Sequence, residues 1–152
     1  MHQPVRRLAL LAVTACWTIQ PAQAQRPPRS PSTYVFVHGA WGGSWDWRRV
    51  DSLLTRRGQR VYRPQLTGLG ERVHLASPDI GLATHINDVV NTILWEDLHD
   101  VILVGHTYGG MVITGVADRA AARRWKVYQL EADHVPERSA PAALVALLER
   151  VQ

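Results

Sequence analysis

The 152-residue chain has one cysteine, one lysine and one phenylalanine, and no apolar run long enough to span a bilayer. With Cys16 as its single thiol, it has no internal disulfide framework and must hold itself together by burial. A chain of this length buries roughly two thirds of its unfolded surface, enough for one core. A strong excess of one charge is also missing, since seventeen basic residues against thirteen acidic ones leave a formal +4. The arginines and Lys126 are scattered, with no basic stripe interleaved with aromatics, so nucleic-acid binding is not expected. His74, His85 and His99 stand at no metal-ligand spacing, and neither a metal nor another cofactor is expected.

The apolar material that is present is ordered along the chain. A basic start, "MHQPVRR", leads into "LALLAVTACWTI", and "PAQAQ" offers a small-residue cut after Ala24. Residues 1–24 therefore read as a secretory signal peptide, which makes the protein periplasmic or extracellular. A rival reading takes "VTAC" as a lipoprotein processing site, with a lipid anchor at Cys16. Either cleavage removes Arg6 and Arg7 and leaves a charge of about +2. Residues 25–32, "QRPPRSPS", read as a Pro-rich linker, and residues 33–152 as the folded domain.

Within that domain strands alternate with helices. "TYVFVH" is rich in β-formers. "SWDWRRVDSLLTRRG" has Trp47, Val50 and Leu54 on one helical face, Ser44 as cap and Gly58 as stop. "RVYRP" is a short strand closed by proline. "LATHINDVVNTILWED" spaces Ile86, Val89, Val90, Ile93 and Leu94 as a helix. "DVILVGH" is the most apolar strand and is expected at the centre of the sheet. A helix from about Tyr108 to Arg123, a last strand "KVYQLEAD" and a last helix "SAPAALVALLERV" follow. This order predicts an α/β fold, a mostly parallel sheet of about four strands flanked by helices. In such sheets the ligand crevice lies at the carboxyl ends of the strands, where His38, Thr107 and His134 all fall.

"GHTYGG", Gly105 to Gly110, sits between strand and helix as a nucleophile elbow does, with a small side chain flanked by glycines. The backbone N–H of Tyr108, at the start of the following helix, would face developing negative charge. With "FVHGAWGGSWDWRRV", "VYRPQLTGLGER", "DVILVGHTYGGMVITGVADR" and "YQLEADHVPERSAPAALVALL", the chain resembles the α/β-hydrolases. The branch it is most similar to contains plant methylesterases, hydroxynitrile lyases and their bacterial relatives. The resemblance covers nearly all of residues 33–151. It implies a nucleophile at Thr107, a general base at His134, and an oxyanion hole from the Ala40 and Tyr108 amides. It also implies that His38 and His106 are loop-packing residues. Trp41, Trp45 and Trp47 read as loop and core packing more than as a substrate platform.

Three departures from that pattern bear on function. Threonine stands where the family has serine, and a β-branched residue fits the elbow backbone badly. Next, "VADR" passes almost directly to "RRWKVYQLEADH", so the segment that in relatives carries two strands and the cap is lacking. The fold expected is thus a truncated α/β-hydrolase. A competing alignment makes "KVYQLEADHVPE" the strand after the elbow helix. Finally, Asp133, Asp100 and Glu131 are all poorly placed to orient His134, and no acid is assigned.

The expected function is weak hydrolysis of a small carboxylic ester by a nucleophile–histidine mechanism. The alternative is a catalytically inactive hydrolase-fold remnant acting as a binding protein. A third reading is an internally deleted product that folds poorly. An unpaired edge in a shortened sheet would also allow a homodimer.

Overall fold

A computed structural model describes residues 30–119 and 134–150. Residues 1–29, with Cys16, and residues 120–133, with Glu131, Asp133 and the segment "KVYQLEAD" expected to form a last strand, lie outside the described residues. Strands β1 (Thr33–Val37), β2 (Arg60–Tyr62) and β3 (Val101–Gly105) form a parallel sheet in the order β2-β1-β3. Thr33 to Val37 pair with Val101 to Gly105, and Thr33 to Val35 with Arg60 to Tyr62. Among the described residues β1, not β3, is the middle strand. All five β1 residues are buried, whereas β3 is half-buried along its length. Apolar content alone did not separate a strand covered on both faces from one that ends the described sheet.

Successive β1 side chains point to opposite faces, and each face has its own core. Tyr34 and Phe36 pack with Trp47, Val50 and Leu54 of one helical segment and with Leu144, Val145 and Leu148 of another. Val35 and Val37 pack on the other side with Ile86, Val89, Val112 and Val116. The first face is covered by α1 (Arg48–Arg56) and α5 (Pro141–Leu148), the second by α2 (Leu82–Trp95) and α3 (Tyr108–Arg119). A short α4 (Pro136–Ser139) precedes α5. None of the described helices is long and apolar enough to cross a membrane.

Helix ends follow the local chemistry, with two adjustments. α1 stops in a Schellman motif: the Gln59 amide donates to the Leu54 carbonyl, the Gly58 amide to that of Thr55, and Gly58 is left-handed. At its start, Ser44 is not the cap. A 3₁₀ turn, Ser44–Trp47, runs into α1, and Glu71 accepts hydrogen bonds from both the Ser44 amide and its hydroxyl. In α2, Leu94 is turned to solvent rather than joining the apolar stripe, because the helix ends at Trp95 and only its inner face meets α3.

Candidate active site

The turn from β3 to α3 is tight because three backbones meet there. A Cβ on Gly109 would stand 2.4 Å from the Val37 carbonyl oxygen, so α3 can start against β1 only with glycine at that position. The Gly109 amide donates to His106 and the Gly110 amide to Thr107 (both 2.9 Å), winding the first turn around the elbow. Thr107 is held at φ +49°, left-handed backbone that a β-branched residue adopts at a cost of about 1–3 kcal/mol. Its methyl carbon would be 2.5 Å from a Cβ on Gly39, so it lies against the loop that leads to Ala40. Tyr108 is the first residue of α3, where an amide has no acceptor inside its own helix.

Thr107 and His134 line one cavity of about 200 Å³, together with Gly39, Trp41, Gly42, Asp46, His106 and Glu137. Among the described residues, no hydrogen bond joins the Thr107 hydroxyl to the His134 ring. His134 is held through its backbone instead, its carbonyl accepting a hydrogen bond from His106 Nε2 at 2.5 Å. The two imidazoles meet edge to face with centroids 4.9 Å apart. Arg138 is paired with the buried Asp46 of the 3₁₀ turn, which ties α4 to the other side of the cavity. That pairing, together with the neighbouring Glu137, raises the Arg138 pKa.

Behind the elbow, two histidines are fully used by the scaffold. His38 is buried; its Nε2 accepts from the Leu66 amide, so Nδ1–H donates to the Gly39 carbonyl at 2.8 Å. His85 Nε2–H donates to the Thr67 carbonyl at 2.8 Å, leaving Nδ1 to accept the Tyr108 hydroxyl at 2.7 Å. Asp88 accepts from the Thr67 amide and hydroxyl, completing a chain from α2 to the first residue of α3. Burial raises the Tyr108 pKa above its ordinary value of 10.

The structure thus brings Thr107 and His134 to one cavity and places Ala40 and Tyr108 in the two segments that flank it. His38 packs the loop as expected, but His106 does more: it binds the backbone of the His134 segment. The three loop tryptophans divide. Trp47 is core, its ring tilted against Phe36, while Trp41 is fully exposed at the cavity rim. Asp100 precedes β3, at the end of the strand away from the elbow. Glu137 was not foreseen. It is 1% exposed, it lines the cavity, and its carboxylate has no hydrogen-bond partner among the described residues. The one available signal was an acid three residues past His134, beside a proline that starts a helix. No group of three or more metal-ligating side chains gathers among the described residues.

Comparison with known proteins agrees with the fold. Residues 34–128 match the profile of the alpha/beta hydrolase family. A carbendazim hydrolyzing esterase of Nocardioides sp. (strain SG-4G) is 49% identical over 119 residues, which are 78% of this chain and 48% of the esterase. Pheophorbidase of Raphanus sativus is 34% identical over 106 residues, 67% of this chain and 39% of that enzyme. Among solved structures, an extracellular alpha/beta-hydrolase from a Paenibacillus species superposes with a TM-score of 0.56 at 33% identity, covering 61% of this chain and 37% of that one. The chain therefore spans less than half the length of these relatives.

Proposed function

The chain belongs to the alpha/beta hydrolase family, and from that premise we propose that it hydrolyses a small carboxylic ester, with Thr107 as nucleophile and His134 as general base. The observation that carries this reading is the left-handed Thr107 at the mouth of β3, in the same cavity as His134. His134 would take the hydroxyl proton as the Thr107 oxygen bonds to the acyl carbon. The Ala40 and Tyr108 amides would hold the oxyanion, and losing one such donor typically costs about 3–4 kcal/mol of transition-state stabilisation. The alcohol leaves with the proton, and water, activated by the same imidazole, releases the acid. A cavity of about 200 Å³ suits a small ester, since pockets for drug-sized ligands measure roughly 300–1,000 Å³.

One observation favours the second reading, a hydrolase-fold protein that binds a small molecule without turnover. The Thr107 methyl lies against Gly39, on the side from which a carbonyl must approach the Ala40 amide. The two readings separate in an assay with p-nitrophenyl acetate. Thr107→Ser removes the methyl, keeps the hydroxyl and is expected to raise kcat/KM at least about tenfold, a barrier change of about 1.4 kcal/mol. His134→Ala and Thr107→Ala should abolish what remains. If Thr107→Ser gains nothing over the natural chain, the binding reading stands and the nucleophile assignment is lost.

A further inference from the structure

We propose that Glu137 is a positioning residue that acts through His106 on His134, setting the place of the candidate base from the backbone of the elbow itself. Its carboxylate is buried, and neither oxygen has a hydrogen-bond partner among the described residues. A buried carboxylate needs either a counter-group or a proton. His106 Nδ1 stands 3.7 Å from Glu137 Oε1, beyond hydrogen-bond length but within ion-pair range. The other charged neighbour, Arg138, is engaged with Asp46.

The tautomer of His106 is fixed at its other end. Nε2 faces the His134 carbonyl at 2.5 Å and must be a donor there. That leaves Nδ1 either bare or protonated. A bare nitrogen would set its lone pair against a buried carboxylate oxygen, so one proton belongs between Nδ1 and Oε1. Whichever of the two atoms carries it, His106 bridges Glu137 to the backbone of His134. Because His106 directly precedes Thr107, the bridge measures the position of residue 134 from the nucleophile's own chain. Asp46 and Arg138 hold the far side of the same segment, and the edge-on His134 ring is the remaining titratable group at the bridge.

The link itself stands on geometry, and its role in turnover rests on the reading of His134 as base. Protein with ¹⁵N-labelled histidine tests the link without any activity. Glu137→Gln is expected to move the ring ¹⁵N signals of both His106 and His134 and to leave His38 and His85 in place. His106→Gln places an amide near Nε2, keeps a donor for the His134 carbonyl and reads the link from the other side, where the Glu137 carboxyl ¹³C signal should move. Unmoved signals in either experiment overturn the bridge, and the second serves if Glu137→Gln does not fold. In a Thr107→Ser background, Glu137→Gln should lower kcat on the order of tenfold to a hundredfold, the scale of a misplaced catalytic group, with KM changed less than about twofold. The double variant with His106→Gln should be no slower than His106→Gln alone, because both changes cut one chain. Independent, multiplicative losses would mean that Glu137 only packs. An inactive Thr107→Ser chain would remove the hydrolase reading and leave the NMR result to decide the bridge.

Discussion

Thr107 concentrates the conflict in this protein. The turn demands left-handed backbone, and the side chain there is one that resists it. Glycines on either side relieve crowding for neighbouring backbone but not for Thr107. The histidines around it show how differently one residue type is used. His38 and His85 spend both ring nitrogens on scaffold hydrogen bonds, whereas His106 binds the segment that carries His134. At His85 this makes a stability prediction. His85→Ala leaves the Thr67 carbonyl and the Tyr108 hydroxyl without partners and should cost about 1–3 kcal/mol in a denaturant titration. A loss below about 0.5 kcal/mol would show that the chain from Asp88 to Tyr108 does not hold the start of α3.

Among the elements, α1 has the most explicit ends. Gly58 closes it through a Schellman motif, and Glu71, from the 3₁₀ segment Gly70–Leu75, satisfies the first donors of the turn that opens it. Burial pushes the Glu71 pKa up. The Ser44 hydroxyl and backbone donors outweigh that, and the net direction is down. A carboxylate whose folded pKa lies below its unfolded one stabilises the protein above the unfolded value and loses that contribution as pH falls through the folded value. Stability should therefore decline with acid below the ordinary carboxylate range. Glu71→Gln should flatten that decline in melting curves taken at stepped pH and lower stability at neutral pH by about 1 kcal/mol, the usual scale of a helix cap. An unchanged acid limb would remove Glu71 from the account.

For the whole molecule, the question is how one strand serves two cores. β1 sends Tyr34 and Phe36 to α1 and α5, and Val35 and Val37 to α2 and α3. The C-terminal helix is thereby part of the fold and not an appendage. Leu148 is buried in the first core, and its carbonyl accepts the Tyr34 hydroxyl at 3.2 Å. This helix also carries α4 and His134 into place, so loosening it should reach the site. Leu148→Ala is expected to cost about 2–5 kcal/mol of unfolding free energy. It should also reduce any esterase activity of a Thr107→Ser chain at temperatures well below the melting point. A fully stable Leu148→Ala chain would mean that α5 does not contribute to the core.

The order of the described elements, their periods and the turn at Thr107 were legible in the sequence because they are local. Alternation two residues apart, stripes at helical spacing and a Gly-x-Thr-x-Gly turn are written in neighbours. The same locality makes strain at a β-branched Thr107 legible, and its φ of +49° is left-handed. Which of the described strands lies in the middle was not local, nor was the turning out of Leu94 or the split between Trp41 and Trp47, since each depends on what packs opposite. Glu137 is the sharpest case. In sequence it is one more acid beside a proline. Tertiary packing buries it under His106, a residue that binds His134 across 28 positions of chain, and only that closure gives the carboxylate something to act on.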